Sequence, residues 1–145
     1  MGGEEALIVS SPALTDLSPL ARMGNLHTLS LENVTAASDL RPLGEMDGLT
    51  KLYLGGNTNA TDLAPLAGLT GLTDLRVAQS ARLTDLTPLA GLTNLTWLDL
   101  SDDPSLSDVT PLAGLTELTQ LHLWNSTSLT DVSALDDLTN LTVYR

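Results

Sequence analysis

The chain has 145 residues, 42% of them hydrophobic, and a formal net charge of −12. This length and hydrophobic content suffice for one buried core, whereas the acidic balance disfavours nucleic acids and membrane surfaces, whose negative charges call for clustered cations on the protein. Cysteine is absent, which excludes disulfides and thiolate metal sites, and the sequence gives no reason to expect a metal or cofactor.

The N-terminal segment MGGEEALIVSSP is acidic and contains no long apolar stretch. It therefore predicts neither a signal peptide nor a membrane-spanning helix. Together with the lack of cysteine, which fits a reducing compartment, this favours a cytoplasmic location.

A 23-residue repeat organises the chain from residue 3 onward. Leucine recurs at this interval without an insertion or deletion, as Leu26, Leu49, Leu72, Leu95, Leu118 and Leu141. The period defines six full units and a stub: 3–25, 26–48, 49–71, 72–94, 95–117, 118–140 and 141–145. One unit is too small to bury its own apolar face, so neighbouring units must stack. We predict a single repeat domain over residues 1–145.

We number the residues of each unit as positions 1 to 23. Each unit begins with a predicted β-strand, because positions 4 and 6 are apolar with a period of two. The core-facing pairs are Ala6/Ile8, Leu29/Leu31, Leu52/Leu54, Leu75/Val77, Leu98/Leu100 and Leu121/Leu123. The same numbering places Leu7 on the opposite face and Tyr144 of the stub in the core column. We expect a parallel sheet of six strands plus a partial seventh.

The second half of each unit predicts one tight helical turn, since positions 15, 18 and 21 are apolar at every third residue. Proline occupies position 17 in five units, where it favours the start of a helical turn. Aspartate occupies position 14 in all six, as Asp16, Asp39, Asp62, Asp85, Asp108 and Asp131. We interpret these carboxylates as caps for the free backbone N–H groups of the turn. A calcium-binding row is the alternative, but no repeated loop converges several oxygens on one point.

The segment LTDLTPLAGLTNLTWLDLS, residues 83–101, resembles the leucine-rich-repeat family, in particular its short internalin-type and phosphatase-regulator-type repeats. The resemblance covers essentially the whole chain. It implies a right-handed α/β solenoid with a curved parallel sheet, one strand per repeat and short helical turns on the convex side. It also implies a bacterial origin.

The turn after each strand departs from the family pattern. The family usually has asparagine there, with side-chain amides forming a ladder; position 9 here reads Ser11, Val34, Asn57, Ser80, Asp103 and Ser126. We therefore expect an incomplete ladder. The units are also slightly longer than is common in this branch, and we place the extra residue in this turn.

The opposite face of the predicted sheet carries the candidate binding site. Strand positions 3, 5 and 7 point away from the core, and most of the few aromatic residues fall there. Exposed Trp, Tyr and Arg on one face are typical of protein-binding hot spots. The candidate residues are Tyr53, Arg76, Trp97, Asp99, His122 and Trp124.

An enzymatic site is not favoured. Asp99 and His122 share a position on adjacent strands with Ser101 nearby, so a Ser-His-Asp arrangement can be drawn. However, the sequence has neither a strained nucleophile turn nor a Gly-rich oxyanion motif. His27 and His122 lie four strands apart, too far to share one metal ion. We predict no catalytic activity.

The resemblance implies a recognition module that binds a protein or peptide through its concave face, as the sensor region of a larger signalling protein or part of a surface adhesin. The alternative is a structural spacer or intramolecular docking surface without its own ligand. The chain stops at Arg145 within a predicted strand and shows no polar capping unit. This predicts a fragment of a larger protein and weak self-association through the uncapped ends.

Overall fold

The computed structural model describes residues 5–56, 59 and 61–145, and it contains one parallel sheet of seven strands in chain order. The predicted position-9 residue Asn57 and the start of the first unit lie outside the described residues. The strands are β1 (Glu5–Ser10), β2 (Leu26–Glu32), β3 (Lys51–Gly55), β4 (Asp74–Ala78), β5 (Trp97–Asp99), β6 (Gln120–His122) and β7 (Thr142–Tyr144). This confirms the predicted sheet of one strand per repeat.

A short 3₁₀ turn follows each of the first six strands, which confirms the predicted tight turn. The turns are η1 (Ser18–Arg22), η2 (Arg41–Glu45), η3 (Ala64–Leu66), η4 (Thr87–Leu89), η5 (Thr110–Leu112) and η6 (Ser133–Leu135). Leucines separated by three residues stack on the inner side because a 3₁₀ turn has about three residues per turn. Leu86 and Leu89 illustrate this, since both are buried and the Leu89 N–H donates to the Leu86 carbonyl at 2.9 Å.

The core lies between the sheet and these turns, and it consists almost entirely of leucine. Corresponding residues of successive strands are in register, so Leu52, Leu75, Leu98 and Leu121 form one fully buried column. Because each unit places the same side chain at the same position, every unit packs against its neighbours in the same way. The repeat therefore propagates one packing solution along the solenoid.

A threonine ladder at the start of the strands also joins the units. The hydroxyls of Thr96 and Thr119 each donate to the backbone carbonyl of the preceding threonine in the series, at 3.0–3.2 Å, and the Thr73 hydroxyl lies 3.2 Å from the Thr50 carbonyl. The backbone N–H groups of the same threonines donate to the same carbonyls at 2.8–2.9 Å. These bonds fix the distance between units just before each central strand.

The sequence-based register is wrong for the first strand. Leu7 pairs with Leu29 and Val9 with Leu31, so Leu7 and Val9 pack on the core, while Ile8 is 75% exposed. Five later units have a left-handed residue after the strand: Asn33, Gly56, Gln79, Asp102 and Asn125. Ser10, at the corresponding place, does not have a positive φ. The first unit therefore has one residue fewer here, and a one-residue change exchanges the two faces of a strand.

The aspartate row caps the turns, as predicted. Each carboxylate accepts a hydrogen bond from the backbone N–H two residues later, at 2.8–3.0 Å. For Asp85, hydrogen bonds from the Thr87 hydroxyl and then from the Thr87 backbone hold the pKa of the carboxyl below its usual 3.8. This stabilisation is complete above pH 3.8 and is lost on acidification. Within the described parts of the chain, no group of three or more His, Asp or Glu residues is placed to hold a metal ion.

We expect Asp85→Ala to lower the Tm by a few degrees, because the first N–H of η4 loses its partner. Asp47→Ala is the matched control, since Asp47 is exposed and its side chain forms no hydrogen bond or ion pair with another described residue. Thermal unfolding followed by circular dichroism, with and without calcium, measures both effects. Calcium should leave the Tm of the wild type unchanged, and a rise of many degrees would instead assign the row to metal binding.

Candidate functional site

The sheet face opposite the 3₁₀ turns, which we call the concave face, carries all six residues predicted for the site. The strand register aligns Tyr53, Arg76, Asp99 and His122 across β3 to β6. Trp97 lies two residues before Asp99 on β5, and Trp124 follows β6. The first five are half-buried and Trp124 is 50% exposed.

Four rings on this face form a continuous series of contacts, the aromatic row: Tyr53, Trp97, His122 and Tyr144. The Tyr53 and Trp97 ring centroids lie 6.1 Å apart with planes at 70°. Trp97 and His122 are 5.5 Å apart at 49°, and His122 stacks on Tyr144 at 4.5 Å and 6°. Edge-to-face and stacked contacts hold each ring in a defined orientation. The row therefore presents a preorganised aromatic surface from β3 to β7.

Tyr144 is the member of this row that the sequence numbering missed. The strict 23-residue period placed it in the core column, which is wrong. Val143, not Tyr144, pairs with Leu121 and packs against the core. This slip buries an aliphatic side chain and leaves the tyrosine ring free to stack on His122. The sequence contained one hint of this ring contact, which is that His122 lies on the strand that precedes Tyr144 in the repeat.

A charged group, the charge bridge, lies beside the aromatic row and consists of Glu32, Arg76 and Asp99. The Arg76 guanidinium is 3.6 Å from the Glu32 carboxylate and 3.3 Å from the Asp99 carboxylate. Glu32 belongs to β2 and reaches Arg76 on β4 across Gly55 of β3. A Cβ atom at Gly55 would overlap the Glu32 carboxylate. Arg76 and Asp99 were predicted for the site and Glu32 was not, although the glycine at the neighbouring strand position was a usable signal of a close approach.

Comparisons with solved structures agree with this architecture. Internalin C2 from Listeria monocytogenes has 33% sequence identity and a TM-score of 0.79, over 89% of this chain and 55% of the internalin. The chain is a leucine-rich-repeat protein. A second internalin from the same bacterium, InlF, has 28% identity and a TM-score of 0.65, over 96% of this chain and 46% of that one. The chain thus spans about half the length of both structures. No family model and no curated protein matches it.

Trp124 of this leucine-rich-repeat protein stands apart from the aromatic row. Within residues 61–145 its indole makes no contact with another aromatic ring, and its backbone N–H donates to the Ser101 hydroxyl at 3.3 Å. Its ring is therefore exposed at the carboxyl end of the strands, beside the row rather than within it. The site consists of a half-buried row and one separate exposed indole.

The Ser-His-Asp arrangement drawn from the sequence does not have the hydrogen bonds of a catalytic triad. Ser101 is buried and its hydroxyl accepts from Trp124. Asp99 accepts from the Ser101 backbone N–H at 3.0 Å and contacts Arg76. His122 Nε2 has no hydrogen-bond partner among the described atoms. Ser101 thus binds the backbone after β6, Asp99 belongs to the charge bridge and His122 belongs to the aromatic row.

Within the described ranges no helix is long and apolar enough to cross a membrane.

Proposed function

We propose that this leucine-rich-repeat protein is a recognition module whose concave face binds a protein or peptide. The observation that carries the proposal is the preorganised aromatic row, with exposed Trp124 beside it. Aromatic side chains give large contact area at low cost in conformational entropy and dominate protein-binding hot spots. The likeness to the internalin repeat domains supports an interaction role in general.

The distribution of exposed apolar side chains supports the same face. Within the described residues three large hydrophobic side chains are strongly exposed: Ile8 at 75%, Trp124 at 50% and Met23 at 42%. Ile8 pairs with Ser30 in the column that contains Tyr53 and Arg76, so Ile8 and Trp124 lie at opposite ends of the concave face. Met23 ends η1 on the side of the 3₁₀ turns. A partner that spans the concave face would cover both Ile8 and Trp124.

The competing function is a structural spacer or intramolecular docking surface without an independent ligand. A spacer needs the stacked core but does not need oriented rings on an open face. The role as the sensor region of a larger signalling protein is a finer form of our proposal, and the full-length protein tests it. The cytoplasmic location stays a prediction, which cell fractionation tests.

The experiment compares alanine substitutions of apolar side chains on the concave face and on the side of the 3₁₀ turns. A partner retained by the immobilised protein is identified, purified and titrated by calorimetry against the wild type, Trp97→Ala, Trp124→Ala and Met23→Ala. We expect each tryptophan variant to lose at least about 2 kcal/mol of binding free energy, whereas Met23→Ala, the exposed apolar control, binds as the wild type does. Equal binding by all four proteins would place the interface elsewhere, and the absence of any retained partner would favour the spacer.

A further inference from the structure

The described charged side chains of the concave face include more carboxylates than cations. Its carboxylates include Glu32, Asp74 and Asp99, and its cations are Lys51 and Arg76. Arg76 is held between Glu32 and Asp99, so its charge is already compensated. The whole chain carries a net charge of −12, which adds a long-range attraction for cations. Electrostatic complementarity therefore favours a basic partner over an acidic one.

Asp74 is the carboxylate that the fold leaves available. It is half-buried on β4 and accepts a hydrogen bond from the Thr73 hydroxyl at 2.7 Å. It forms no ion pair with any described cation, including Lys51, its register neighbour on β3. On its other side the register neighbour is Trp97. A carboxylate with remaining acceptor capacity thus borders the aromatic row.

Tyr53 and Trp97 form a corner next to this carboxylate. Their planes meet at 70° with centroids 6.1 Å apart, so the two rings are nearly perpendicular. Burial, and then the negative charge of Asp74, raise the pKa of the Tyr53 hydroxyl above 10.0, and the positive charge of Lys51 opposes them with a smaller effect. The same charge that disfavours a tyrosinate favours a cation in this place. Ring faces attract ammonium and guanidinium groups within about 6 Å, most strongly for tryptophan.

We propose that Tyr53, Asp74 and Trp97 form a cation subsite that receives a Lys or Arg side chain from a basic segment of the protein partner. This proposal rests on the proposed function, since it gives the partner's chemistry at the same face. The two rings contact the cationic group and its aliphatic stem, and the Asp74 carboxylate neutralises the charge. Arg76 does not fill the subsite because Glu32 and Asp99 hold its guanidinium.

The test uses three peptides of one length that differ only in their guest residues, which are lysine, glutamine or glutamate. Binding to the wild type, Asp74→Asn, Trp97→Ala and Asp47→Asn is measured by fluorescence anisotropy. We expect the lysine peptide to bind at least about fivefold more tightly than the glutamine peptide, and the glutamate peptide to bind most weakly. Asp74→Asn should remove most of the lysine preference, because an amide keeps the Thr73 hydrogen bond but not the charge.

Asp47→Asn is the matched control, since it removes one exposed carboxylate outside the concave face. Equal losses in Asp47→Asn and Asp74→Asn would mean that only the overall charge attracts the peptide, and this would overturn the subsite. Equal affinity of the lysine and glutamine peptides for the wild type would overturn it as well. The proposed function is judged separately by the purified partner. If Trp97→Ala weakens that partner while the peptides show no lysine preference, the interface stands and the cation subsite does not.

Discussion

Asp103→Asn is expected to raise the free energy of unfolding at pH 7 by about 2–4 kcal/mol. Asp103 lies in the turn after β5 and is fully buried. Its Oδ1 accepts a hydrogen bond from the Ser80 backbone N–H at 2.6 Å, while Oδ2 has no partner among the described atoms. Burial is the main cause that raises the pKa of this carboxyl from 3.8 to about 8, and the nearby charges of Asp99 and Asp102 add to it.

The direction of the pH effect follows from this raised pKa. Below pH 3.8 the carboxyl is protonated in both the folded and the unfolded chain, so it has no effect on stability. As the pH rises from 3.8 to about 8, the unfolded chain releases the proton and the folded protein retains it. The wild type therefore loses stability over this interval. Asparagine keeps an acceptor for the Ser80 N–H and has no proton to lose, so the variant lacks this decline.

Urea unfolding of the wild type and Asp103→Asn between pH 4 and pH 8 measures the difference directly. The two curves should lie close together near pH 4 and separate as the pH rises. Subtraction cancels the capping aspartates, which titrate at lower pH in both proteins. A constant difference across the interval would show that Asp103 is ionised in the folded state.

Leu98→Ala is expected to cost about 2–5 kcal/mol of folding free energy. Leu98 is fully buried in the column formed with Leu75 and Leu121. Truncation removes contacts with the layers on both sides, and the neighbouring units cannot close the gap without losing their common register. Because repeat proteins are stabilised by nearest-neighbour interfaces, a cavity in a central unit weakens two interfaces at once.

Equilibrium unfolding in urea checks this value, with Leu98→Met as the control because it keeps the volume. The methionine variant should lose less than about 1.5 kcal/mol. Similar losses for alanine and methionine would indicate that the side chain is not in a close-packed column.

The central strands could be predicted from the sequence because five units keep the same length and each has one residue with a positive φ at the same place after its strand. The two terminal strands could not. The residue with a positive φ is missing after β1. In β7 the core residue is Val143 and not the predicted Tyr144. Each terminal strand has a described neighbour on one side only. A period of two gives equally regular patterns in either register, so only the packed neighbours decide between them.

The faces of the candidate site residues could also be predicted, since alternation along a strand determines them. Their partners could not. Ring contacts such as Tyr53 with Trp97 depend on side-chain rotamers across β4, and the reach of Glu32 to Arg76 depends on the missing side chain at Gly55. The burial of Asp103 was equally invisible, because the sequence shows only an acidic residue in a turn.

The most direct test of the concave face as the binding surface is to measure folding and partner binding on the same sample of Trp97→Ala. Trp97 neighbours Leu98 on β5 but faces away from the core. We predict that the free energy of unfolding falls by no more than about 3 kcal/mol, the scale of the two ring contacts that Trp97 loses with Tyr53 and His122, while affinity for the purified partner falls at least about thirtyfold. A variant that unfolds, or one that folds and binds the partner as the wild type does, would contradict the account.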